Sequence, residues 1–116
     1  MAVFGDIVSD KNVLVLDLQT PSVSATMNIV IAAGNKTYLK FTADQNITIN
    51  ISSGTPSYGD ELVMIITNDG AEARTITFGT KLKSSGNIVG TINKVAVVTF
   101  VSDGTDYYES SRTLGL

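Results

Sequence analysis

The chain of 116 residues contains no Cys, no His and no Trp, and its formal net charge is −3. One domain is the expectation at this length. The absent residue types exclude imidazole general bases, thiolate nucleophiles, Cys/His zinc sites and iron–sulfur clusters. The negative charge argues against an electrostatic nucleic-acid binder.

Residues 1–10 lack regular alternation and read as an N-terminal arm, and 11–116 as a single β-sandwich domain. Val, Ile and Thr dominate the domain, and these β-branched side chains favour strands. The first expected strand is Val13 to Leu18, with Leu14, Leu16 and Leu18 inward and Val13, Val15 and Asp17 opposite. Pro21 ends it, because proline cannot donate to a ladder. A short apolar run over Asn28 to Ala33 closes at the turn Gly34-Asn35.

Thr37 to Ala43 alternates, with Leu39, Phe41 and Ala43 on one face. Ile47, Ile49 and Ile51 alternate with Thr48, Asn50 and Ser52, the pattern of a strand with one dry and one wet face. Asp44-Gln45-Asn46 between them suits a tight hairpin turn. After a loop from Ser53 to Gly59, Leu62 to Thr67 is apolar on both faces. Asn68-Asp69-Gly70 is a turn signal, and Arg74 to Phe78 places Ile76 and Phe78 inward. Gly79 to Gly90 reads as a loop with short strand fragments.

Val95 to Val101 is the second strand apolar on both faces, with Val95, Val97 and Val101 on one and Ala96, Val98 and Phe100 on the other. Ser102-Asp103-Gly104-Thr105 reads as a hairpin turn and Asp106 to Ser110 as the last strand, before a tail ending in Leu114-Gly115-Leu116. Turn signals every 8–12 residues or so are those of an all-β protein, and the expected architecture is an antiparallel, jelly-roll-like β-sandwich. No repeat of fixed period is evident.

The strands without a wet face imply a covering surface. A domain this small buries only about 60–70% of the surface of its unfolded chain and has little material to cover both faces of a sheet. Val95, Val97 and Val101 are therefore candidate subunit-interface residues. Apolar chain ends also need cover, so Val3 and Phe4 in the arm and Leu114 and Leu116 in the tail are candidate docking residues.

Other groups have plainer readings. Asp44, Asp60, Glu61 and Asp69 include possible carboxylate pairs for glycoside hydrolysis, but spacing alone assigns no such pair. Asp103 and Asp106 flank an Asp-Gly turn and lack the further oxygen ligands of a calcium loop. No catalytic residue, metal site or cofactor is expected. Tyr58, Tyr107 and Tyr108 are candidate sugar-stacking residues, although tyrosine is also ordinary on sheets and at interfaces. No basic, apolar leader opens the sequence and no run reaches membrane-spanning length, so neither secretion nor membrane insertion is expected.

The segments Gly59 to Gly70, Arg74 to Gly79, Gly90-Thr91 with Lys94, and Val98 to Arg112 together resemble the C-terminal β modules of small structural proteins of tailed bacteriophages. Such modules occur in capsid decoration (cement) proteins and in head and tail fibres. The resemblance covers about the last 60 residues, and Tyr107 stands where many relatives carry Trp. It implies a non-enzymatic virion protein at the capsid surface, synthesised in the host cytoplasm. The implied partners are further copies of itself, as a homotrimer, and the major capsid protein of a tailed phage, with no nucleic acid or membrane. Size favours a decoration protein over a fibre, which needs a shaft or anchor domain. The alternative is a receptor- or glycan-binding module of such a fibre.

Overall fold

The computed structural model describes residues 15–116. Its strands are β1 (Val15–Gln19), β2 (Thr26–Val30), β3 (Asn35–Ala43), β4 (Ile47–Ser53), β5 (Tyr58–Asn68), β6 (Thr75–Phe78), β7 (Leu82–Lys83), β8 (Ile88–Val89), β9 (Val95–Asp103) and β10 (Tyr107–Thr113), with no helix among the described residues. They form a six-stranded sheet of order β1-β3-β5-β9-β10-β7 and a four-stranded sheet of order β2-β4-β6-β8.

The chain crosses from one sheet to the other at almost every corner. β1, β3 and β5 are parallel neighbours in the larger sheet, and β2, β4 and β6 in the smaller. Successive turns of chain therefore stack as three coils of a β-solenoid-like arrangement. β9 then pairs antiparallel with β5, and the hairpin to β10 extends the larger sheet. The all-β expectation holds. Antiparallel pairing throughout does not, because most strand pairs are parallel and both sheets are mixed.

The turn at Asp44-Gln45-Asn46 shows why. It is the corner of a coil, not a hairpin: β3 and β4 lie in different sheets. Thr48 donates to the Ala25 carbonyl at 2.9 Å, so β4 joins β2 at once instead of folding back on β3. Turn-forming residues specify a change of direction and leave the next pairing partner open. Asn46 and Asn50 brace these corners, their Oδ1 atoms accepting from the Thr75 and Thr80 backbone N–H groups at 2.9 and 2.8 Å. Gly79 is required beside them, since a Cβ there would overlap Asn50 Oδ1.

The core fills the space between the sheets. Met27 and Ile29 from β2, Leu39 and Phe41 from β3, the isoleucines of β4, and Leu62, Met64 and Ile66 from β5 are all buried. Val98 and Phe100 join them from β9, and Phe100 meets Phe78 edge-on with ring centroids 5.3 Å apart. Full burial of each such aliphatic side chain contributes about 1.5–3 kcal/mol. The third coil turns on Asn68, which is buried and donates to the Asp69 and Glu72 carbonyls at 2.9 and 2.8 Å while accepting from the Arg74 N–H at 2.8 Å.

One strand is reversed relative to its expected sidedness. Leu16 and Leu18 of β1, expected inward, are 58% and 74% exposed. Asp17 and Gln19 take the inward positions, and Gln19 Nε2 donates to Asp17 Oδ2 at 2.8 Å and to the Val30 carbonyl at 3.0 Å. These two polar side chains sit at the edge of the described coils, and polar groups are what the end of a solenoid carries. A shift of one residue turns every side chain of a strand over, so Leu16 and Leu18 lie on the outer face of the larger sheet. Val13 and Leu14 lie outside the described residues.

Candidate functional site

The outer faces of the two sheets differ in chemistry. On the smaller sheet, Thr26, Thr48 and Thr77 align across three strands, and Asn28 lies beside Asn50 with an amide contact of 3.5 Å. This is a water-facing surface of hydroxyls and amides, with Val30 and Val89 as isolated exposed apolar residues.

The outer face of the larger sheet is apolar at its centre. One row across the sheet runs Leu18, Tyr38, Val63 and Thr99, and the next runs Lys40, Ile65 and Val97. Val63 is screened to 9% exposure by its neighbours, while Ile65, Val97 and Thr99 are half-buried with no further layer of the described chain over them. A third row places Leu16, Lys36, Glu61, Val101 and Tyr108 side by side. Charges keep to the margin: Lys36 lies 3.8 Å from Glu61 and 5.5 Å above the Tyr38 ring. Tyr38 and Glu61 together raise the Lys36 pKa. An apolar centre within a polar rim is the usual anatomy of a protein–protein surface.

All three candidate interface valines, Val95, Val97 and Val101, lie on this face, with Ala96, Val98 and Phe100 buried behind them. The sequence signal for the face was the lack of a wet side in β5 and β9. Leu16, Leu18 and Tyr38 belong to the same surface and escaped that signal, because β1 and β3 each carry polar residues that suggest an ordinary two-sided strand.

The tail is tied to the sheet. Leu116 exchanges two backbone hydrogen bonds of 3.0 Å with Val95, continuing the β9–β10 ladder past Gly115 at φ 72°. Leu114 and Leu116 are 47% and 59% exposed, so their side chains stay available while their backbone is held. Val3 and Phe4 lie outside the described residues.

The three tyrosines do not form one platform. Tyr107 is fully buried in the core. Tyr58, which is 86% exposed, and Tyr108 lie on the outer face of the larger sheet, on the strands either side of Asp103. Asp103 accepts from the Thr105 and Asp106 N–H groups, both at 2.9 Å, which lowers its pKa, and its charge raises that of Tyr108.

The carboxylates have separate structural tasks. Asp60 is buried and its Oδ2 accepts from the Gly34 and Ser57 N–H groups, both at 2.8 Å. Asp69 makes a two-bonded pair with Arg74, at 3.0 and 2.8 Å, which holds its pKa down. Glu109 pairs with Arg112 at 2.7 Å and accepts from Ser85, and its pKa is likewise lowered. Among the described residues no group of three or more acidic side chains is placed to hold a metal ion, and no helix is long and apolar enough to cross a membrane. No known family model matches the chain, and no curated protein sequence matches it significantly.

Proposed function

We propose that the protein is a non-enzymatic decoration (cement) protein of a tailed-phage capsid, which binds the outer capsid surface as a homotrimer and stabilises the head. The observation that carries this reading is the contrast between the two outer faces: threonine and asparagine on one sheet, an uncovered apolar centre on the other. A chain of this size buries a smaller share of its surface than a larger domain does, so contacts with partners add to its stability. The likeness of Gly59 to Arg112 to phage virion modules indicates which kind of assembly offers such partners. Several weak contacts per subunit add through avidity once copies are joined, and ligands that bind only the assembled shell stabilise it by mass action. The exposed side chains of Leu114 and Leu116 are the described candidates for capsid contact.

The test is co-sedimentation of the purified protein with expanded phage capsids, followed by heating of the decorated shells. Saturable binding and a higher shell-melting temperature are expected; capsids left bare at micromolar protein refute the reading. Tyr58 and Tyr108 beside Asp103 support the second reading, a glycan- or receptor-binding fibre module. Specific binding on a glycan array, lost in Tyr58→Ala, would select that reading.

A further inference from the structure

We infer that the outer face of the larger sheet is the interface between copies of this chain, and that the copies associate by packing these faces together rather than by adding strands at an edge or stacking coils end to end. The inference rests on the decoration reading for its trimeric stoichiometry: three copies turn these faces to a common axis, so that each face meets both neighbours.

The edges are poorly suited to strand addition. β7 and β8, which border the two sheets on one side, are two residues long. On the other side, Gln19 reaches from β1 to the Val30 carbonyl of β2, and with Asp17 presents polar groups where a further coil would need apolar ones. Short edges and polar ends are how sheets avoid growing.

The face has the extent and chemistry that self-association needs. β3, β5 and β9 carry four outward rows each, β10 three and β1 two, which at about 4.8 Å between strands and about 6.7 Å between rows is a footprint of roughly 550 Å². That is about two-thirds of the ~800 Å² that each partner contributes to a standard stable interface. The rim carries both signs: Lys36 and Glu61 pair within the subunit, which leaves Lys40 on β3 and Asp103 two strands away on β9. A neighbouring copy can thus set Lys40 against Asp103. A strongly charged partner would leave half of these groups opposed to like charge. The centre, at Val63, Ile65 and Val97, is apolar and β-branched, the composition of a sheet face that packs against another sheet.

Native mass spectrometry and light scattering of the whole chain test the inference. The wild-type protein is expected at three times 12.3 kDa. Val97→Lys and Ile65→Glu, whose side chains point outward, are expected to give folded monomers, while Thr48→Lys on the smaller sheet leaves the trimer intact. Should the charged variants fail to fold, Val97→Thr keeps the shape and adds a hydroxyl to the centre, raising the half-dissociation concentration by about tenfold or more. A monomeric wild type, an oligomer that survives all three outer-face variants, or one lost in Thr48→Lys overturns the assignment, whereas a wild-type dimer broken by the outer-face variants supports the interface and refutes the trimer of the decoration reading. Capsid binding is read separately. A wild-type trimer that ignores capsids refutes the decoration reading alone, and a wild-type monomer that decorates them refutes the interface alone.

Discussion

Tyr107 links the core to a measurable alkaline limit. Its side chain is fully buried and its hydroxyl has no hydrogen-bond partner among the described residues. Burial, reinforced by the Asp60 carboxylate, pushes its pKa up to about 12, whereas tyrosine in an unfolded chain ionises near 10. Between about pH 10 and 12 the folded state keeps a proton that the unfolded state has lost. The contribution is therefore complete below about pH 10 and is lost as pH rises towards 12. At ~1.4 kcal/mol per pKa unit the loss approaches ~3 kcal/mol, a large part of the roughly 5–15 kcal/mol that holds an ordinary domain together. Tyr107→Phe removes the group and with it this slope. Near neutral pH the variant should be as stable as wild type or up to about 1–3 kcal/mol more stable, because it no longer buries an unpaired hydroxyl. Urea unfolding of both proteins at intervals from about pH 7 to pH 12 reads the difference directly, and comparing the two cancels the titration of the lysines. Parallel stability curves would refute the assigned pKa. A variant more than about 1 kcal/mol weaker at neutral pH would show that the hydroxyl has a partner after all.

Three further outcomes follow from the coil corners and ion pairs. Gly79→Ala should destabilise by about 2 kcal/mol or more, and Asn50→Ala in the same chain should recover part of that loss, since the added methyl meets the Asn50 amide; additive effects in the double-mutant cycle would contradict this. Asn68→Asp keeps the acceptor for Arg74 but loses both donors to the Asp69 and Glu72 carbonyls, and is expected to cost about 2–4 kcal/mol in urea unfolding, so a cost below about 1 kcal/mol would show the corner holds without it. Asp69, Asp103 and Glu109 all have lowered pKa values in the fold; their contribution is present above the unfolded carboxyl range near pH 4 and is lost as pH falls through the folded values. Thermal melts from about pH 5 to pH 2 should therefore show falling stability, with a shallower fall in Glu109→Gln, and an unchanged slope in that variant would count against the Arg112 pair as a cause.

The strands were legible from the sequence where alternation met a dry interior. Ile47, Ile49 and Ile51 are buried with Thr48 and Asn50 outside, as are Leu39, Phe41 and Ala43 of β3. The hairpin at Ser102 to Thr105 was legible because its Asp-Gly turn joins true neighbours. The coil was not. Parallel pairing requires knowing that Ala43 and Ile47 belong to different sheets, and a three-residue polar turn serves a coil corner and a hairpin equally well. The coils also carry no common period in the sequence: the step from Val15 to its partner Asn35 is shorter than that from Lys36 to Glu61 or from Ile47 to Ile76. Of the candidate residues, Val95, Val97 and Val101 were found together because a whole strand signalled them. Tyr107 was misgrouped with Tyr58 and Tyr108 because sequence adjacency places neighbours on opposite faces of a strand.

The reversal of β1 connects these points. Period-two alternation identifies a dry face without naming what keeps it dry. In β4 the core does so, and the isoleucines are inside. In β1 the same pattern puts Leu16 and Leu18 at 58% and 74% exposure, beside Lys36 and Tyr38 on the face that also carries Val63, Ile65 and Val97. The inward positions hold Asp17 and Gln19, which suit the edge of the described coils and would be costly in the middle of one. The leucines opposite them have no cover within residues 15–116. On the proposed interface they lie at a dry surface, as the alternation requires, which neighbouring copies complete. Leu18→Ser should accordingly weaken association far more than it weakens the folded subunit. Comparing its half-dissociation concentration with its urea midpoint separates the two effects. A variant that lost fold stability while keeping its affinity would place Leu18 in the subunit's own core and remove β1 from the interface.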